Sequence, residues 1–140
     1  MPADEALLRR VADELALRNL VGRIAQSSDM GTLEEYGDCW TEDAVMEFPN
    51  APQKGRSNLM AAAKARRDVG QGGPASNSRH LISTVVVRCD GGDQATVDSY
   101  MQWWRSIDTS PELMIMGHYH DTVRREGDTW RVAHRVVTLR

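Results

Sequence analysis

Several kinds of chemistry are excluded by what this chain lacks. Cysteine is scarce: Cys39 and Cys89 are the only two, far apart and outside any Cys-x-x-Cys pattern. Two lone thiols suit a packing role in a reducing compartment, so the expected location is cytoplasmic and no disulfide framework is expected. No apolar run approaches the roughly 20 residues of a membrane span. The start, Met-Pro-Ala-Asp-Glu, has no basic stretch followed by an apolar one, so no secretory signal is read. Neither sign of charge dominates: the formal net charge is −3, with acids and bases interspersed. That balance argues against nucleic acid or an anionic membrane as partner. The chain has no Gly-rich phosphate loop, no Gly-x-Ser-x-Gly elbow and no Walker motif, so no nucleotide or flavin cofactor is expected. Internal repeats and low-complexity segments are absent as well.

What remains is ordinary globular composition, 41% apolar and 26% charged over 140 residues, enough for one domain spanning 1–140 with a real core. Leu17, Leu20, Val21 and Ile24 recur at i, i+3, i+4, i+7 and predict one face of a helix. Leu8, Val11 and Leu15 extend the stripe upstream, as a separate short helix or the same one. Thr32-Leu33-Glu34-Glu35 is a capping box that starts a second helix through Tyr36 and Trp40. Residues 43–48 read as a short strand stopped at Pro49. Gly55-Arg56-Ser57 then caps a third, alanine-rich helix over about 58–68, ended by Gly70-Gln71-Gly72-Gly73-Pro74. Four strands follow at 79–89, 94–107, 112–125 and 129–139, joined by turns such as Asp90-Gly91-Gly92-Asp93 and Glu126-Gly127-Asp128. Helices followed by a meander predict an α+β domain with an antiparallel sheet covered by helices on one face. Strands this long must twist and curl, and a curled sheet closed by helices encloses a pocket.

The candidate chemistry centres on histidine and carboxylate. His80 opens the most β-prone run, Arg79-His80-Leu81-Ile82-Ser83-Thr84-Val85-Val86-Val87, and period-two alternation puts it on one face with Ile82, Thr84 and Val86. Asp29 sits where the long helix runs out, in Ser27-Ser28-Asp29-Met30-Gly31. A carboxylate that holds an imidazole turns it into a general base without metal or cofactor. His118 and His120 flank Tyr119, and a His-x-His strand places both rings on one face, which is half a metal site. No His-x-x-x-His or Cys cluster supplies further ligands, so no metal is expected. Parity puts Tyr119 and Asp121 on the opposite face, expected to be the concave one. His134, between Arg131 and Arg135, reads as structural. The Trp and Met residues on the strands, among them Trp103, Trp104, Met101 and Met116, are expected in a core, an interface or an apolar pocket.

Together, the order of elements and four short motifs resemble the SnoaL-like, polyketide-cyclase branch of the nuclear-transport-factor-2-like superfamily. The motifs are Asp29 through Tyr36 continuing to Trp40-Thr41-Glu42-Asp43-Ala44; Gly55-Arg56-Ser57; Arg79-His80-Leu81-Ile82-Ser83; and Gly117-His118-Tyr119-His120-Asp121 with Trp130-Arg131-Val132-Ala133-His134-Arg135. The resemblance covers roughly residues 7–137. It implies a cone-shaped, cystatin-like α+β barrel in which N-terminal helices close a deep apolar cavity. Scytalone dehydratase and hexachlorocyclohexane dehydrochlorinase, two members, use an Asp–His dyad there, and the matching positions are Asp29 and His80. Arg135 and Tyr119 fall where the dehydrochlorinase has a cavity arginine and a cavity aromatic. Two helpers are missing: Ile24 stands where the dehydrochlorinase has a lysine, and Ser28 where scytalone dehydratase has a tyrosine.

The resulting expectation is a cofactor-free lyase, dehydratase, isomerase or cyclase acting on a small apolar, ring-containing molecule. Asp29 and His80 are its catalytic pair, with Tyr119, Arg135, Tyr100, Asp121, Met46 and Trp40 around the substrate. Tyr119, Tyr100 or Arg135 would donate to a developing oxyanion. Two other classes stay open: a non-catalytic small-molecule-binding domain, and an epoxide hydrolase of the same superfamily built on an Asp-Arg-Asp set. Dimers and trimers both occur in the superfamily, and a homo-oligomer is expected here.

Overall fold

In a computed structural model, residues 2–140 are described. The chain opens with α1, Pro2–Met30, a single helix of 29 residues and about 43 Å. No residue between Leu8 and Leu17 breaks it, because alanine, leucine, arginine and glutamate all favour helix. The downstream stripe is the core: Leu17, Leu20, Val21 and Ile24 are at most 3% exposed. Upstream, Leu7, Leu8, Val11 and Leu15 face solvent. Asp13 is the exception on that half. It is buried, accepting from Arg125 at 2.7 Å and from the Trp130 indole N–H at 3.3 Å. These bonds tie the middle of α1 to the far end of the sheet.

The capping box forms around α2, Leu33–Asp38: Thr32 Oγ1 accepts from the Glu35 N–H at 3.1 Å, and the Thr32 N–H donates to Glu35 Oε1 at 3.3 Å. β1, Trp40–Phe48, follows at once and is longer than expected. A two-residue turn at Pro49-Asn50 leads to β2, Ala51–Lys54, a strand the sequence reading lacks. β2 is short, sits at the sheet edge and contains Pro52, which an edge tolerates because the missing N–H faces solvent. α3, Arg56–Asp68, starts as expected behind Gly55, whose φ of 89° suits glycine. Then β3 (Arg79–Arg88), β4 (Gln94–Arg105), β5 (Glu112–Glu126) and β6 (Thr129–Leu139) fall within one or two residues of their expected bounds.

The six strands form one sheet in the order β2-β1-β6-β5-β4-β3. Two expectations are corrected. The sheet is mixed, because β1 lies parallel to β6 while every other pair is antiparallel. The connection from β1 through α3 and the meander brings the chain back beside β1 in the same direction. Nor is it a closed barrel: β2 and β3 are its two free edges. Register shifts in β1–β6, β3–β4, β4–β5 and β5–β6 bend the strands, and the helices cover the face they curl around.

The bulge in β3 also corrects the alternation read for His80. Pairing with β4 skips from Ser83 to Val86, and Thr84 adopts a φ of 54°. That left-handed conformation is rare for a β-branched residue and strains the backbone by about 1–3 kcal/mol. The extra residue resets parity. Val85 and Val87, not Thr84 and Val86, join Ile82 against the core, and Val86 is exposed. No helix among the described residues is long and apolar enough to cross a membrane. Cys39 is buried, Cys89 half-buried, and both are free thiols.

Burial works to raise the Asp13 carboxyl, but the hydrogen bonds from Arg125 and Trp130 outweigh it and hold it below the ordinary value. A lowered carboxyl stabilises the fold above its unfolded value and loses that contribution as pH falls through the folded one. Asp13→Ala is therefore expected to cost about 1.5–3 kcal/mol at pH 7 in urea denaturation. The difference from the unaltered protein should shrink as pH drops below about 3.9, the unperturbed Asp value. A pH-independent difference would contradict this ionic role.

Candidate active site

Asp29 lies in the last turn of α1 and is 3% exposed. A helix C-terminus is a poor place for a carboxylate, because the macrodipole is negative there. The local structure compensates. Arg67 reaches across from α3 and donates to the carbonyl oxygens of Gly31 and Ser27, both at 2.9 Å, and to that of Ser28 at 3.4 Å. The Gly73 N–H adds a bond to the Ser28 carbonyl at 3.0 Å. Gly73 has a φ of 79°, and a Cβ there would stand 2.8 Å from the Arg67 side chain. The glycine-rich loop after α3 is thus a seat for the arginine that caps α1.

Both oxygens of Asp29 are spent on one residue. Oδ2 accepts the His80 backbone N–H at 2.8 Å, and Oδ1 lies 2.7 Å from His80 Nδ1. A carboxylate can only accept, so Nδ1 carries the proton and Nε2 of the neutral ring is a free acceptor. The bulge at Thr84 falls just beyond this contact, where the strand stops serving the site and starts packing on α1.

His80 lines a cavity of about 280 Å³ between the helices and the concave face of the sheet. Its walls are mainly apolar: Val21, Ile24 and Ala25 from α1, Met46 and Phe48 from β1, and from β3 to β6 such residues as Ile82, Met101, Trp103 and Val137. The polar lining consists of Ser28, Tyr36, Arg66, Gln71, His80, Tyr119 and Arg135. The neighbouring strands β5 and β6 supply the buried pair Asp121 and Arg135, register partners bonded bidentately at 2.7 and 2.8 Å. Burial acts to lower the Arg135 guanidinium, but the charge and hydrogen bonds of Asp121 prevail and raise it, so it stays charged. The guanidinium carbon stacks 3.8 Å from the centre of the Tyr119 ring and 5.3 Å from that of Trp40. Burial pushes the Tyr119 hydroxyl up to about 12, against the pull of Arg135, so it remains a proton donor at any working pH.

The expected site residues therefore separate into three groups. His80, Tyr119, Arg135 and Met46 line the cavity. Asp29, Asp121 and Trp40 stand outside its lining: Asp29 bonds to His80, Asp121 to Arg135, and Trp40 is wholly buried under Arg135. Tyr100 is misplaced by the expectation. It is on the outer face of the sheet, 48% exposed, with its ring edge-on to His118. His118 and His120 share that outer face and converge on Asp98, at 3.1 and 2.9 Å from its Oδ1. Among the described residues no three His, Cys, Asp or Glu side chains are arranged to hold a metal ion. His134 Nε2 lies 3.2 Å from Glu47 Oε2 on β1 but makes no aligned hydrogen bond with it. The Asp-Arg-Asp set is not assembled among the described residues, since Arg135 pairs with Asp121 while Asp29 is occupied by His80.

The sequence reading missed Arg66, Gln71 and Phe48. Arg66 had a visible signal: it continues the buried stripe Leu59, Ala63 of α3 at i, i+4, i+7, where a further apolar residue would be expected. A larger open groove of about 670 Å³ lies elsewhere, between α1 and the β3–β4 hairpin. It is lined by Arg10, Glu14, Arg88 and Asp90, whose charges are mixed, and it holds neither His80 nor Tyr119.

Comparison with known proteins agrees with this architecture. An NTF2-like protein with a cystatin-like fold from Novosphingobium aromaticivorans superimposes with a TM-score of 0.85 at 25% identity, covering 96% of this chain and 86% of the other. A candidate scytalone dehydratase from the same organism gives 0.79 at 18% identity, covering 94% and 87%. LinA, a hexachlorocyclohexane dehydrochlorinase, gives 0.80 at 14% identity, covering 96% and 90%. No curated protein matches by sequence. The SnoaL-like domain pattern matches residues 9–136, nearly the whole chain, and the protein belongs to the SnoaL-like domain family.

Proposed function

We propose that this protein is a cofactor-independent acid–base enzyme, in which His80, oriented by Asp29, removes a proton from a carbon of a small, mainly apolar, ring-bearing molecule. The observation that carries this reading is the double grip of Asp29 on His80, at 2.8 Å to the backbone N–H and 2.7 Å to Nδ1, in a residue that lines the cavity. With Nδ1 protonated and held, Nε2 is the basic atom. When it takes the substrate proton, the buried carboxylate stabilises the imidazolium that forms. A positioned base of this kind contributes about 10²–10⁴-fold in rate. The Tyr119 hydroxyl, kept protonated by burial, is the donor for the developing enolate oxygen, and the Arg135 cation stacked on its ring favours negative charge nearby. Loss of a leaving group, return of the proton at another carbon, or carbon–carbon bond formation then completes an elimination, an isomerisation or a cyclisation. The absence of a lysine at Ile24 and a tyrosine at Ser28 separates this site from the two best-known dyad chemistries of the superfamily.

The same proposal includes a dimer or trimer in the cytoplasm. Leu81, Tyr100 and Met116 are each about half exposed on the outer sheet face, at 52, 48 and 46%, and a second copy of this chain would cover them. The free thiols Cys39 and Cys89 suit a reducing compartment.

Two measurements test these statements. Exchange of the α-protons of 2-indanone into D2O, followed by NMR, should be accelerated by the protein. The acceleration should vanish in His80→Ala and fall about 10²–10⁴-fold in Asp29→Asn, with the circular dichroism spectrum unchanged. Exchange no faster with the unaltered protein than with His80→Ala would leave only a binding role for the cavity. Sedimentation velocity should give a dimer or trimer that dissociates on Tyr100→Glu. A monomer at micromolar concentration would refute the oligomer.

A further inference from the structure

Arginine use in this fold follows one rule with one exception. Eight arginines are at least partly withdrawn from solvent: Arg56, Arg66, Arg67, Arg79, Arg124, Arg125, Arg131 and Arg135. Seven have a carbonyl or carboxylate partner. Arg56 and Arg79 donate to backbone carbonyls, Arg67 caps α1, and Arg124, Arg125, Arg131 and Arg135 meet carboxylates. Of the eight, Arg66 alone meets neither a carboxylate nor a backbone carbonyl; among the described residues, its side chain has only the neutral Tyr36 hydroxyl within hydrogen-bonding reach. Yet it lines the cavity, where a guanidinium gives up hydration and ordinarily needs compensation.

The rest of the lining sharpens the imbalance. It contains no Asp or Glu at all. The second cavity cation, Arg135, is already neutralised by Asp121 from behind. Two more polar residues of the lining lie close to Arg66: Tyr36, whose hydroxyl is within hydrogen-bonding reach of the guanidinium, and Gln71, whose backbone N–H donates to the Arg66 carbonyl at 2.8 Å. Burial raises the Tyr36 hydroxyl despite the nearby Arg66 charge, so it stays a donor. The Gln71 side chain adds an amide donor. A guanidinium fork with a phenol and an amide beside it matches the acceptor-only oxygens of a carboxylate.

Resting on the base proposed above, we infer that the substrate of this cavity is a ring-bearing carboxylic acid whose carboxylate is received by Arg66 with Tyr36 and Gln71. The cavity of about 280 Å³ is small, so the acid is compact: one or two small rings and the acid group. The carboxylate supplies the missing counter-charge and anchors the molecule while the apolar walls hold its ring. Binding energy from a group remote from the reacting carbon serves orientation.

The test is the affinity of indane-2-carboxylate against indane-2-carboxamide, a neutral molecule of nearly the same shape, by calorimetry and by Trp103 fluorescence. The unaltered protein should bind the carboxylate at least about tenfold more tightly than the amide. Arg66→Gln should bring the two together, and Arg66→Lys should keep most of the preference. Equal affinities in the unaltered protein, binding of neither compound, or a preference that persists in Arg66→Gln would overturn the assignment. The readout separates this inference from the one beneath it. 2-Indanone has no carboxylate, so its proton exchange tests the base without the carboxylate site, while the affinity ratio tests the carboxylate site without proton transfer.

Discussion

The grip of one carboxylate on one residue organises this molecule. Asp29 joins the C-terminus of α1 to the first turn-in of β3, 51 residues later, through a backbone bond and an imidazole bond together. The backbone bond fixes where the strand begins relative to the helix. The ring bond fixes which nitrogen of His80 is protonated. Either contact alone would place the residue without orienting it, or orient it without placing it. The cluster around Asp29 exists to make that corner rigid: Arg67 covers the open carbonyls of α1, and Gly73 makes room for Arg67. A helix end that ordinarily frays is thereby turned into a fixed wall of the cavity.

Charge around the cavity is handled in the same manner, with the carboxyl partner one layer behind the residue that faces the cavity. Asp29 stands behind His80, and Asp121 behind Arg135. The walls stay apolar while the polar groups aimed inward are held by bonds that do not depend on water. Such an environment strengthens the pull on a developing negative charge, because few water dipoles compete with the fixed donors. Arg66 departs from this pattern: among the described residues no carboxylate stands behind it, and that is the reason to look for the counter-charge in the ligand.

Local signals were the legible ones. The capping box at Thr32, the turns at Asp90 and Glu126, and the start of β3 at Arg79 depend on neighbours in sequence, and each lies where the residues put it. What escaped was set by distance or by depth. β2 hides because Pro52 disqualifies a central strand but suits an edge. The parallel pairing of β1 with β6 depends on the whole path between them, which hairpin signals do not encode. The bulge at Thr84 reverses the face of Val85 and Val86 with no glycine to announce it. At the site, strand parity separated Tyr119 from His118 and His120, but it could not tell a lining residue from one behind the lining. Trp40 and Asp121 are buried behind the cavity lining, and Tyr100 occupies the other face. The pairing of Asp29 with His80 was suggested by the superfamily, since no local rule connects residues so far apart.

The claim on which the chemistry stands is that Asp29 holds His80 in one tautomer, proton on Nδ1 and lone pair on Nε2. Nitrogen-15 NMR of the imidazole, in protein labelled at histidine, reads this directly from the two ring shifts and their couplings to the carbon-bound protons. The neutral His80 ring should be protonated at Nδ1, and Asp29→Asn should shift it away from that single form. A neutral ring protonated at Nε2, or one that averages between both forms in the unaltered protein, would contradict it.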